Sequence, residues 1–235
     1  MARGDTALDA SVAGIEYKLI RRKGMRSIRM RVTEPDGVVV VSAGMRRSRA
    51  EIDRFVAERA DWIARSRARI ARMTPRFPAH YDDGDEFSLW GSPMVLRVRA
   101  AAGRRCSSRL GDGELVVSVP SGATREDVEG AFKGFLRKEL KKALETVVPR
   151  CEAMAGIECA GVQIRDMSSR WGSCTSSTRK IRIALKLALY PPECLEMVMV
   201  HELAHIRHRG HDRDFYAFMD AHYPRWREAN GLLRE

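Results

Sequence analysis

Long apolar runs are missing from this chain. No stretch reaches the roughly 18 residues that a membrane-spanning helix needs. The opening MARGDTALDASVAG has no apolar core of a secretory leader. Cysteine is sparse: Cys106, Cys151, Cys159, Cys174 and Cys194 form no C-x-x-C pair. An odd count with no leader reads as reduced thiols in the cytoplasm, and no membrane partner is expected. Aromatic residues make up 7% of the chain, and no aromatic-rich RNA-reading signature accompanies its basic residues. Histidine is also rare, with six in 235 residues, yet four of them crowd into HELAHIRHRGH, residues 201 to 211.

What the chain does have is positive charge, unevenly placed. Its net charge is +11. Residues 1–80 hold 18 Lys+Arg against 9 Asp+Glu, residues 81–148 hold 11 against 11, and residues 149–235 hold 13 against 11. The basic excess therefore sits in the first third. It reads either as a solubilising surface or as the footprint of an anionic partner such as nucleic acid, acidic protein or nucleotide.

A faint duplication runs through the first 150 residues. DGVVVVSAGMRRSRAEI (36–52) lines up with DGELVVSVPSGATREDV (112–128). Each opens on Asp-Gly, a hairpin signal, continues as a β-branched run, and reaches a capping box, Ser48-x-x-Glu51 and Thr124-x-x-Asp127. The alternating stretches SIRMRVT (27–33) and MVLRVRA (94–100) precede them. Amphipathic helices are expected over about 48–72 and about 124–147. The chain thus divides into a basic ββα segment (1–80), a second ββα-like segment (81–148) and a third region (149–235).

In that third region a short helix near 149–156 and a strand near 161–167 lead to the turn-rich SSRWGSCTSSTRK. KIRIALKLAL (180–189) then alternates apolar and polar residues, the mark of a strand with one buried face. Pro191-Pro192 opens a helix that runs to Gly210. His201 and His205, four apart, share one face of it. H-E-x-x-H offers two imidazoles to zinc and a carboxylate, Glu202, to the water that the metal activates.

A catalytic zinc usually takes a third protein ligand. A metal shared by His201 and His205 lies about 3 Å along the axis from each, which leaves His208 about 7.5 Å away. His211 follows Gly210, where the chain can turn back. His211 is therefore the expected third ligand, and His208 a neighbour or surface residue.

SSRWGSC, RKIRIALKLAL, EMVMVHELAH and GHDRDFYAFMDAHYPRW occur in the order seen in the YgjP-like family of zinc metallopeptidases, related to SprT-type proteases among the zincins. The chain resembles that family closely over 160–230 and loosely at ADWI (60–63). The resemblance implies a zincin-like α+β fold, with His201, His205 and His211 at the metal positions and Glu202 at the catalytic one. His208 inside the spacer departs from the family pattern.

The expected architecture is α+β, with the active-site helix packed on a mixed or antiparallel sheet after ββα-type segments. The expected activity is peptide-bond hydrolysis with one Zn2+ per chain, Glu202 as general base and a peptide or protein as substrate. KIRIALKLAL is a candidate edge for strand addition by that substrate, a buried central strand being the other reading. Arg170 and Trp171, and Tyr216 and Tyr223, are candidate substrate or transition-state contacts; Arg170 could instead pair with Asp166 or Asp214. Two rivals stand beside this. One is a zinc-dependent nucleotide pyrophosphatase with a basic pocket around Arg170, Lys180 and Arg182. The other is a non-enzymatic nucleic-acid-binding module.

Overall fold

The computed structural model describes residues 7–33, 37–70 and 76–233. The chain forms two compact units, Met1–Pro75 and Arg76–Glu235. This one boundary lies close to the expected division at 80. The expected division at 148 falls inside a helix.

In the first unit β1 (Ala7–Val12) and β2 (Ile15–Arg22) form one antiparallel hairpin, and β3 (Arg29–Thr33) and β4 (Val38–Gly44) form another. β2 joins β4 in parallel, giving the order β1-β2-β4-β3. Side chains alternate across a strand. Ile15, Tyr17 and Leu19 therefore share a face with Val39, Val41 and Ala43. Ile52 and Val56 of α1 (Arg49–Ala57) and Ile63 of α2 (Ala60–Ile70) cover it. Ser48 caps α1 through the expected reciprocal box with Glu51. The expected turn residue Asp36 lies outside the described residues, as do residues 71 and 72 of the expected helix. Gly37 has φ +64°, as that turn requires.

The second unit begins with the same design. β5 (Glu86–Leu89), β6 (Ser92–Ala101), β7 (Ser107–Leu110) and β8 (Glu114–Pro120) form a sheet of order β5-β6-β8-β7, with β6 parallel to β8. Both first hairpins turn on two residues with positive φ, Ala13-Gly14 and Trp90-Gly91. Thr124 and Asp127 form the second capping box. The duplication is therefore a ββββα unit rather than ββα, and one expected match shifts. MVLRVRA is β6, the counterpart of β2; the counterpart of SIRMRVT is β7. That strand is four residues long with an exposed Leu110, too little pattern to read from sequence.

The helix that follows, α3 (Arg125–Ala155), is continuous through Pro149, where two helices were expected. Leu140, Leu144, Val147, Cys151 and Ala155 keep one buried stripe on both sides of the proline. That burial outweighs the lost backbone donor.

β9 (Gly161–Arg165), β10 (Gly172–Thr175) and β11 (Lys180–Ala184) make a mixed sheet of order β10-β11-β9. It is antiparallel at β10/β11 and parallel at β11/β9. The expected ten-residue strand stops at Ala184, because β9 offers no pairing partner beyond Arg165 and β10 none beyond Gly172. Leu185–Leu189 coil into a 3-10 turn that buries Leu185, Leu187, Ala188 and Leu189. β11 is also central, so KIRIALKLAL supplies no sheet edge.

Helix α4 (Pro192–Arg207) packs on β10, β11 and α3, and α5 (Arg213–His222) and α6 (Trp226–Leu232) pack on α4. The β5–β6 turn braces its entry: Trp90 N–H donates to Ala188 C=O at 2.8 Å, and a Cβ on Gly91 would lie 2.8 Å from Pro191 Cγ. No helix among the described residues is long and apolar enough to cross a membrane.

Candidate metal centre

The last two turns of α4 carry His201 and His205 on one face. Their Nε2 atoms lie 3.2 Å apart, and His211 Nε2 lies 3.1 Å from that of His201. One ligand atom from each of the three falls within 4.8 Å of the others. Three imidazole nitrogens facing one another leave three lone pairs around one point, a donor set suited to zinc. Burial, with the neighbouring His205 and His211, pushes His201 down to about 4, and burial also lowers His205. Both are thereby kept neutral, the form that binds a metal.

The chain returns for His211 by a route different from the expected one. α4 ends at Arg207; His208 already has φ −113° and ψ 106°, and Gly210 has no positive φ. The turn is made at His208, which also places its carbonyl 2.9 Å from His205 Nδ1. A proton on Nδ1 donated to that oxygen leaves Nε2 as the free acceptor. The His208 ring leaves the cluster and packs against Phe218, with centroids 5.6 Å apart. Ser176 Oγ donates to the His205 carbonyl at 2.6 Å and so ties the helix end to the loop after β10.

Phe215 underlies the cluster. Its ring centroid lies 4.9 Å from His201, 4.9 Å from His205 and 4.7 Å from His211, and it is almost fully buried. Asp212 caps α5 by accepting from Phe215 N–H at 3.0 Å, which fixes where the ring enters.

Glu202 is 4% exposed, and its Oε2 has no hydrogen-bond partner among the described residues. Desolvation raises its carboxyl to about 8, against a smaller lowering by Arg170. A cation held by the adjacent imidazoles would supply opposite charge beyond that of Arg170 to this buried carboxyl. Gly172, at the start of β10, makes room for it: a Cβ there would lie 2.6 Å from Glu202 Oε1 and 2.7 Å from its Cγ.

The remaining candidates separate. Arg170 is exposed and reaches Glu202 through charge; Asp166, one of its expected partners, pairs with Lys133 at 2.9 Å. Trp171 packs edge-on to Tyr190, with Lys186 Nζ 4.0 Å from its centroid. Tyr216 is half-exposed, 6.5 Å from His211 by centroids and stacked on Trp226. Tyr223 is not brought to the cluster. Its hydroxyl donates to Glu193 C=O, at the opposite end of α4. Phe215, Asp212 and Ser176 were not singled out from the sequence, and Gly172 only as a turn residue beside Trp171. Only Gly172 had a signal, its place in SRWGSC.

His201, His205 and the buried Glu202 lie on α4 and His211 lies beyond its end, an arrangement of the kind that metal-dependent hydrolases use. The family model described as YgjP-like, metallopeptidase domain, matches residues 26–235, and the chain belongs to that family. Among solved structures, the crystal structure of the metallopeptidase zymogen of Pyrococcus abyssi abylysin is similar at 18% identity and a TM-score of 0.36. That similarity covers 38% of this chain and 90% of that one. No curated protein matches the chain.

Proposed function

We propose that the protein is a zinc-dependent peptidase, with one zinc held by His201, His205 and His211 and with Glu202 as general base. The convergence of the three Nε2 atoms next to a buried, unpartnered carboxylate oxygen carries this reading. Bound zinc would supply Lewis acidity, polarising the scissile carbonyl and making water a stronger acid. Glu202 Oε2 is the atom that takes the proton from the attacking water and passes it to the leaving amine. His205 is oriented by the His208 carbonyl, and Phe215 keeps solvent from the back of the cluster.

A peptide fits this site better than a nucleotide does. β10 is an edge of its sheet and begins at Gly172, against Glu202. An extended peptide added to that edge would run past the carboxylate with its amides in register. The cations that favoured a phosphoanhydride are otherwise placed: Lys180 and Arg182 alternate along β11 with the buried Ile181 and Ile183, and Arg182 Nη1 donates to Thr175 Oγ1 at 3.3 Å.

Incubating zinc-loaded protein with an unfolded protein, and separately with nucleoside triphosphates, tests the choice. New peptide termini with the first and intact nucleotide in the second are expected. Pyrophosphate release without peptide cleavage would sink it.

A further inference from the structure

The two ββββα units serve as controls for each other. In each, one sheet face is buried under helix and the other faces away from it. In the first unit the uncovered face holds Asp9, Glu16 and Lys18 on its β1–β2 side, Arg22 at the end of β2, and Arg29 and Arg31 on β3, with Val40 and Ser42 of β4 between β2 and β3. Arg22, Lys23, Arg29 and Arg31 line one concavity together with Met25, Met30, Val40 and Ser42. All four cations are exposed. Lys23, Arg29 and Arg31 form no ion pair among the described residues.

Register gives the counterparts in the second unit. Arg29 faces Ser42 and Ser107 faces Ser118; Arg31 faces Val40 and Arg109 faces Val116. Arg22 faces Gly44 and Ala101 faces Pro120. Two of the cations thus have neutral counterparts. The other arginines on that face are neutralised, Arg97 by Glu114 at 2.8 Å and Arg99 by Asp83 at 2.7 Å. The sheet therefore folds without a cationic face. Gathering like charges on the first one is unfavourable unless an anion meets them. Basic residues on an edge strand can also serve to block edge-to-edge pairing. β7 is an edge strand as well and carries one arginine.

We infer that the β3–β4 side of this uncovered face, with Arg22 and Lys23 at the end of β2, binds the phosphate backbone of double-stranded nucleic acid without reading its sequence. The rest of the concavity's lining is Met25, Met30, Val40 and Ser42, with no aromatic ring on which an unpaired base could stack. Long exposed cations along a sheet face suit a duplex backbone, where each neutralised phosphate releases counterions. This surface shares no residue with the metal centre, and the inference does not depend on the peptidase reading.

The test is fluorescence anisotropy of the full chain with a labelled random-sequence DNA duplex over a salt series. The wild-type protein should bind at low salt and weaken steeply as salt rises. Arg29→Gln with Arg31→Gln should weaken binding at least about tenfold and reduce the log–log salt slope by about two. Arg97→Gln with Arg99→Gln should leave both unchanged. Circular dichroism checks that each variant is folded. Four results would each overturn the inference. They are no binding at low salt, an unchanged Arg29/Arg31 variant, equal losses from both variant pairs, and equally strong competition by polyglutamate at matched charge. The last would reassign the face to an acidic protein. Edge protection alone would instead make the Arg29/Arg31 variant aggregate with unaltered DNA affinity.

Discussion

Gly172 and Glu202 occupy one space: a Cβ on the glycine would lie 2.6 Å from Oε1 and 2.9 Å from Cδ of the glutamate. Glycine is present here for its lack of a side chain, since its φ is not positive. Glu202 cannot retreat freely, because it is buried on a helix packed against that strand. Gly172→Ala should therefore displace the carboxylate and leave the imidazoles in place. We expect zinc content near one per chain with kcat/KM down by about 100-fold, the scale of an ångström-sized misplacement. Unchanged turnover would mean that Glu202 has room to move.

Gly91 carries a different strain. Its φ is +81° and its missing Cβ faces Pro191 at the entry to α4. Gly91→Ala should cost about 1–2 kcal/mol for the left-handed conformation and about 1–3 kcal/mol for the overpacking. Urea unfolding would read the sum. In the twin turn, Gly14 has φ +74° and open space around it. Gly14→Ala should show the conformational part alone. Equal losses at the two sites would show that the contact with Pro191 contributes nothing.

Tyr17 and Asp53 give the first unit a pH dependence. Burial and the hydrogen bond to Asp53 hold the Tyr17 hydroxyl up at about 12, and the same bond lowers Asp53. A folded-state pKa above the unfolded value of about 10 favours folding while the phenol is neutral. That contribution should be lost as pH rises from about 10 through about 12. The depressed Asp53 contributes above the usual carboxylate range near 3.9 and loses its share as pH falls below it. Tyr17→Phe should thus be less stable than wild type at neutral pH, with the gap closing at both extremes. A constant gap in chemical denaturation from pH 5 to pH 12 would remove the hydrogen bond from the account.

Local periodicity carried much of this structure into view. His201 and His205 are four apart on an apolar helix, which fixes their shared face whatever packs around them. The capping boxes at Ser48 and Thr124 are likewise set by residues three apart. What escaped depends on remote partners. KIRIALKLAL alternates perfectly, yet it stops being a strand where β9 and β10 end. Pro149 should break a helix, but a buried stripe from Leu140 to Ala155 carries the helix through. Phe215 looks like any core aromatic until α5 brings it under three imidazoles. His211 was readable from the reach of a side chain. The turn that delivers it was not, because His208 leaves the helix without a glycine's help.

That turn sets the most telling experiment. His201, His205 and His211 converge through Nε2, while the His208 ring lies against Phe218 and only its carbonyl serves the site, by holding His205 Nδ1. A substitution at 208 keeps the carbonyl. His208→Ala should therefore retain zinc to within about threefold in affinity, well short of the 10–100-fold cost of losing an outer hydrogen bond to a ligand. His211→Ala removes a proposed ligand and should leave the protein largely zinc-free after dialysis. Glu202→Gln keeps the shape and loses the proton acceptor. It should hold zinc at one per chain and lose at least about 100-fold in turnover. Metal content by atomic emission, beside peptide-cleavage rates for the three variants, separates the roles. Zinc lost from the His208 variant and kept in the His211 variant would reverse the ligand assignment. A fully active Glu202→Gln would leave the triad as a metal site without the proposed chemistry.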